Sequence, residues 1–187
     1  LQNTYKLRKL IGRGGSAKVY KVKNINTGNY YAAKVFTKEK LKKDKKLEKS
    51  LQREIKLLNE LKNHPGIVQI YEIYETKSTL CIIQEYLQGG NLQTQNNKFS
   101  KNDVFDIMLQ LLKAMSFMHS KCIIHRDIKP SNIIWNVESY SKVKKRSLKI
   151  IDFGFSVKKN SKDFVYFMCG TAGYMAPEVT RSKNKEK

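Results

Sequence analysis

The hydrophobic period of this chain switches from strand-like to helix-like at Lys46, and that change limits the folds open to it. Up to Phe36 the apolar residues come in short runs at 5–11, 19–22 and 30–36, split by Gly12-Arg13-Gly14-Gly15 and by Asn26-Thr27-Gly28-Asn29. Short runs between turn residues read as an antiparallel meander. From Lys46 onward Leu47, Leu51, Ile55, Leu58 and Leu61 are spaced by three and four, as a helix with one buried face requires. His64-Pro65-Gly66 breaks that helix, and apolar segments at 67–74 and 80–83 around Thr76-Lys77-Ser78 predict a further hairpin. After Gln88-Gly89-Gly90-Asn91, Ser100 and Asp103 form a capping pair leading into Val104, Ile107, Met108, Leu111, Leu112, Met115 and Met118, a second long helix. Apolar strands at 133–135 and 148–151, joined by a polar and basic segment, predict a last hairpin. The architecture is α+β: a sheet-rich lobe, a linker and a helical lobe.

A length of 187 residues suits one domain or a two-lobed unit with a substantial core. Lys+Arg number 37 against 16 Asp+Glu, a net charge of +21, which would attract nucleic acid, anionic lipid or acidic protein. Many of these cations fall in separate runs at 38–49, 142–149 and 181–187, without interleaved aromatics, and read as solvated surface rather than a base-stacking platform. The three cysteines Cys81, Cys122 and Cys169 are odd in number, widely spaced and without a CxxC pair, so they suggest neither a disulfide framework nor a zinc site. No apolar run approaches the roughly 18 residues of a membrane span. A reducing, intracellular and cytoplasmic setting fits. Leu1 in place of an initiator methionine suggests a chain cut from something longer.

Residues with chemistry recur at the turns. The glycine turn at 12–17 joins two strands, so it differs from a dinucleotide fingerprint, where a strand leads into a helix. It reads equally as a phosphate loop or an ordinary glycine hairpin. Lys34 lies inside an apolar strand and Glu54 lies on the helical stripe between Leu51 and Leu58. Either the two charges meet, because burying one alone costs several kcal/mol, or the lysine snorkels and the glutamate sits at the edge of the stripe. His125-Arg126-Asp127-Ile128-Lys129-Pro130-Ser131-Asn132 follows the second helix, and Asp152-Phe153-Gly154 follows the last strand. Asp127, Lys129 and Asn132 supply a proton acceptor, a phosphate-binding cation and a metal-ligating amide, and Asp152 adds a hard oxygen ligand for magnesium. Phosphoryl transfer needs that set.

Together these motifs, in this order, resemble the protein kinase family over essentially the whole chain. The resemblance implies a two-lobed fold: an antiparallel sheet and one helix at 1–84, a hinge at 85–91, and a mainly helical lobe at 92–187 that is truncated after Met175-Ala176-Pro177-Glu178. It implies ATP and magnesium as cofactors, with Asp127 orienting and deprotonating a substrate hydroxyl and Lys129 on the γ-phosphoryl group. Asn132 and Asp152 would hold Mg2+, and Lys34, paired with Glu54, the α and β phosphates. Gly12 and Gly14 belong to the glycine-rich loop at 12–19, and Ile11 would also contact the nucleotide. Val19 and Ala32 above and Ile134 below would hold the adenine, with backbone hydrogen bonds from Glu85 and Leu87 and with Gln84 at the back of the pocket. Lys129 two residues after Asp127 is the serine/threonine pattern, and 152–156 with 169–174 resemble the calcium/calmodulin-dependent and related kinases.

Several positions depart from the family pattern. Ala17 replaces the third loop glycine, and the segment from Asp127 to Asp152 is long, its surplus falling at 140–146. Phe167 occupies the place of the usual phosphorylated threonine, so Arg126 lacks that phosphate; Thr171 matches a residue that contacts the catalytic loop, and Ser161 and Tyr166 are out of register. Asn91 and Ser131 stand where arginine-preferring relatives carry acids. The resemblance therefore implies protein substrates with weak arginine selection and regulation by segment packing or a partner such as a calcium sensor. No specific nucleic acid and no membrane is expected among the partners. The closing part of the family's domain does not follow Glu178, which leaves an inactive nucleotide-binding or scaffolding fragment as the alternative to a working transferase.

Overall fold

A computed structural model describes residues 4–95, 99–137, 146–159 and 169–181, with the backbone alone at 137 and 146. The expectations for 140–145 and for Ser161, Tyr166 and Phe167 lie outside the described residues. The chain groups into two compact units, one from Leu1–Gln52 with Val68–Leu87, the other from Arg53–Ile67 with Gln88–Lys187.

The first unit is built on five antiparallel strands, β1 (Tyr5–Arg13), β2 (Lys18–Asn24), β3 (Tyr30–Thr37), β4 (Ile70–Glu75) and β5 (Thr79–Glu85), in the order β1-β2-β3-β5-β4. The meander and the hairpin predicted from the apolar runs are both present. Residues 67–69 are the exception: the strand begins at Ile70, and Ile67 instead forms a parallel bridge with Ile150. Alternation places Tyr5, Val22, Ala33, Cys81 and Ile83 in one buried cluster. Tyr5 anchors it, with its ring edge-on to Tyr31 and Tyr74 and its hydroxyl donating to Glu72 at 3.1 Å. Burial first, and then the neighbouring carboxylate, push the Tyr5 phenol up to about 12.

The run at 38–49 is more than solvated surface. It forms α1 (Lys38–Lys43) and then begins α2 (Lys45–Glu60). One apolar residue, Leu41, buries α1 against the rest of the unit, and a single apolar position gives no period to detect. Asp44 separates the helices: its amide closes α1 on the Lys40 carbonyl at 3.0 Å, and its carboxylate caps α2 through the Leu47 amide at 2.9 Å.

In the second unit α3 (Lys101–Ser120) starts at the predicted capping box, with the Asp103 amide donating to the Ser100 hydroxyl at 3.1 Å and the Ser100 amide to the Asp103 carboxylate at 2.9 Å. Its Ile107 joins Ile133, Trp135 and Leu148 in a core from β7 (Ile133–Val137) and β8 (Arg146–Ile150). Beside that contact Val104, Phe105, Met108, Leu109 and Leu112 are exposed. Short strands β6 (Ile123–Ile124) and β9 (Val157–Lys158) pair with each other, and α4 (Pro177–Arg181) closes the described chain. The turn after α2 is tied inward: the Ile150 amide donates to the Gly66 carbonyl at 2.9 Å, and His64 stacks on Phe117 at 4.5 Å. A Cβ on Gly66 would lie 2.8 Å from that of Ala114, so only glycine lets the turn come this close to α3. Among the described residues no helix is long and apolar enough to cross a membrane.

Candidate active site

In the first unit, strand register gathers the residues expected at the nucleotide. Lys34 stands directly opposite Val19 on β2 and Ile82 on β5, and Ala32 stands opposite Gln84. Directly opposed residues share a sheet face, so Val19, Ala32, Lys34 and Gln84 lie on one face, with Gly12 opposite Val19 at its edge. Ile11 is exposed beside the turn. The Glu85 amide donates to the Gln69 carbonyl at 2.9 Å. Leu87 lies two residues past the end of β5.

In the second unit the segment between β6 and β7 folds around Asp127. One carboxylate oxygen accepts from the Thr171 hydroxyl at 2.7 Å. The other accepts from the Asn132 amide at 3.0 Å and lies 3.0 Å from the Lys129 ammonium. Lys129 also donates to the Thr171 hydroxyl at 2.6 Å. Asp127 is 4% exposed, and burial alone would push its carboxyl up. The bonds from Thr171, Lys129 and Asn132 outweigh that and hold it below the usual carboxylate range. The amide nitrogen of Asn132 is spent on Asp127, including the Asp127 carbonyl at 2.9 Å, so its oxygen is the end left to ligate.

His125 is the buried support of this loop. Its Nδ1 accepts from the Asp127 amide at 3.2 Å, so Nε2 carries the proton and donates to the Ile151 carbonyl at 3.0 Å. Burial holds its pKa below the ordinary histidine value. The ring meets Phe153 edge-on at 4.8 Å, and the Ser156 hydroxyl donates to the His125 carbonyl at 3.2 Å. Arg126 and Asp152 both have left-handed backbone, φ 67° and 61°, a conformation that surrounding structure must impose and that concentrates at functional positions. The Arg126 Nε donates to the Phe155 carbonyl at 2.7 Å.

Gly170 shows how tightly Thr171 is presented. Its φ is 124°, and an added Cβ would lie 2.8 Å from the Arg126 carbonyl oxygen and 3.1 Å from Met175. Asp152 and Glu54 approach one point, since a Cβ on Gly154 would lie 3.4 Å from an Asp152 carboxylate oxygen and 4.0 Å from one of Glu54. Ile134 stands opposite Lys149 and bridges Asn91. Thus Asp127, Lys129 and Asn132 are brought together, as are Glu54 and Asp152. Thr171 meets the catalytic loop as the resemblance implies, whereas the supporting roles of His125 and Ser156 were absent from the expected site residues, and nothing in the spacing marks Ser156 as a partner of His125.

The donor set fits magnesium. Among the described residues no three His, Cys, Asp or Glu cluster as a metal site, but magnesium needs only one or two protein oxygens when phosphates supply the others. Asn132 and Asp152 offer an amide oxygen and a carboxylate.

The family profile described as "Protein kinase domain" matches residues 5–187. The chain belongs to the protein kinase family. It is 36% identical over 187 residues to the serine/threonine-protein kinase cds1 of Schizosaccharomyces pombe, covering 96% of this chain and 39% of that protein. It is 37% identical to the CBL-interacting protein kinase 10 of Oryza sativa subsp. japonica, over 98% of this chain and 40% of that protein. The CBL-interacting serine/threonine-protein kinase 21 of Arabidopsis thaliana is 36% identical over 96% of this chain and 41% of its own length. This kinase chain therefore spans about two fifths of these relatives. The names of the first and the third agree with the serine/threonine pattern read at Asp127 and Lys129.

Proposed function

We propose that the protein carrying this chain transfers the γ-phosphoryl group of ATP to serine or threonine hydroxyls of protein substrates. The observation that carries the reading is the Asp127 cluster. A buried carboxylate kept ionised by Thr171, Lys129 and Asn132 can accept a hydroxyl proton, provided the hydroxyl approaches within hydrogen-bond reach. Lys129, which bridges Asp127 and Thr171, would neutralise charge on the transferred group. Asn132 and Asp152 would hold magnesium, which neutralises phosphate charge when bound. In the first unit, the turn at 12–17 and Lys34 would take the phosphates. Val19, Ala32 and the backbone of Glu85 and Leu87 would take the base.

Regulation belongs to the same proposal. Phe167 cannot carry a phosphate, so activity rests on ordering by packing or by an external partner such as a calcium sensor. Two relatives are named for interaction with CBL. The decisive experiment is Mg-ATP-dependent phosphorylation by the full-length protein and by Asp127→Ala. Turnover should fall by about 10² to 10⁴, the range for losing a positioned base. Equal turnover would overturn the reading.

A further inference from the structure

The glycine turn is held by a residue that no motif includes. The Gly14 amide donates to the Ala17 carbonyl at 2.9 Å and closes a hairpin with Gly15 and Ser16 at its tip. A Cβ on Gly15 would meet nothing within 4 Å, and one on Gly14 only the Ala17 carbonyl oxygen at 3.8 Å. The protein itself does not crowd this turn, so its glycines leave room beside the backbone rather than avoid a clash. Across that open tip, the Lys40 ammonium of α1 donates to the Gly15 carbonyl.

An exposed lysine ordinarily gains little from such a bond, because it must give up side-chain freedom. Here the backbone beneath it is fixed at three points. Leu41 is buried, the Lys38 amide donates to the Ser78 carbonyl at 2.8 Å, and the Lys38 ammonium pairs with Glu75 at 2.7 Å. Neighbouring lysines are neutralised, Lys43 by Glu39 at 2.6 Å and Lys45 by Glu48 at 2.8 Å, whereas Lys40 has no carboxylate partner among the described residues. At the stem of the turn Arg13 stands directly opposite Lys18, a like-charge pair that is unfavourable until an anion joins it. Three cations therefore surround a turn whose tip is held by one of them.

We propose that Lys40 is a positioning residue for the nucleotide: it holds the tip of the glycine turn through Gly15, so that less ordering is required when the phosphates bind. The proposal rests on the kinase reading of the turn. A held loop lowers the cost of binding and leaves the chemical step alone, which separates KM from kcat. In the full-length protein Lys40→Ala should raise KM for ATP, and the Kd for a non-hydrolysable ATP analogue with magnesium, by about 3- to 10-fold, the size of one modest hydrogen bond. Turnover at saturation should stay within about twofold. Lys40→Arg should restore the wild-type KM. Lys42→Ala, which removes an exposed charge from the same helix, should change neither constant. Equal Kd values for Lys40→Ala and Lys42→Ala would overturn the proposal, as would a fall in kcat with KM unchanged. If the wild-type protein binds the analogue but transfers no phosphate, the kinase reading fails, and the Kd comparison still decides the role of Lys40.

Discussion

Thr171 offers the sharpest test of the site. Its hydroxyl accepts from Lys129 at 2.6 Å and donates to Asp127 at 2.7 Å, so Thr171→Val removes both bonds while keeping the shape of the side chain. One of the two lost bonds is to a carboxylate that is 4% exposed, and water cannot easily replace it. A hydrogen bond to a charged group is worth about 1.5–3 kcal/mol. If the bond persists into the transition state, kcat/KM should fall by about 10- to 100-fold. A second readout has a fixed sign. The Thr171 hydrogen bond is one of the interactions, with Lys129 and Asn132, that hold the Asp127 pKa down against burial. Without it burial gains, the carboxyl pKa rises, and the acid limb of the pH–rate profile moves to higher pH. Thr171→Ser keeps the hydroxyl and should retain both the rate and the profile. The assay is kcat/KM against pH for the full-length wild type and both variants, with thermal melts to confirm folding. A folded Thr171→Val protein within twofold of wild type and with an unmoved acid limb would refute the argument.

His64 should make stability pH-dependent. Its pKa is lowered from 6.5 by burial and then by Lys149, so its contribution is full above the unfolded value and is lost as pH falls through the folded one. His64→Asn keeps an acceptor for the Gly66 amide, which now bonds Nδ1 at 3.1 Å, and should shrink the difference in Tm between about pH 5.5 and 7.5; an unchanged difference would count against it. Gly170→Ala should cost about 1–3 kcal/mol in backbone strain alone, lowering both Tm and kcat/KM, and a melt and a rate like wild type would contradict that. Phosphatase treatment of active full-length protein should leave most activity. Loss traced by mass spectrometry to a phosphate between residues 155 and 174 would reverse the conclusion drawn from Phe167. Residues 1–187 alone should be poorly soluble because Val104, Phe105, Met108, Leu109 and Leu112 are exposed. Phe105→Lys with Leu112→Lys should raise the concentration at which light scattering shows one species.

What could be read in advance divides by physical cause. Strands and long helices announce themselves through period, and Ser100 with Asp103 marked the start of α3 because a capping box is local in sequence. The catalytic residues were legible as a set because motif order is itself information, and Asp127, Lys129 and Asn132 are only five residues apart. α1 was hidden, since Leu41 is its only buried residue. The exposed half of α3 was unreadable for the opposite reason: Val104, Met108 and Leu112 fit the helical stripe as well as Ile107 and Met118 do, and only packing separates them. Contacts made across long separations, Lys40 with Gly15 and His125 with Ile151, depend on tertiary placement and leave no periodic trace.

The turn after α2 has a consequence for how this chain can change over evolutionary time. Ile150 bonds the Gly66 carbonyl through its backbone, and Ile67 pairs with the same residue as a parallel bridge. Main-chain bonds survive almost any exchange of side chains. The second-unit end of the helix bearing Glu54 and the strand leading to Asp152 are thus joined by a fastening that drift at their surfaces cannot loosen. Exposed positions on α2 and on α3 can be rewritten freely, for new partners or new charge, while the two carboxylates keep their spacing around Gly154. The tolerance ends at Gly66, where a single methyl group would press on Ala114.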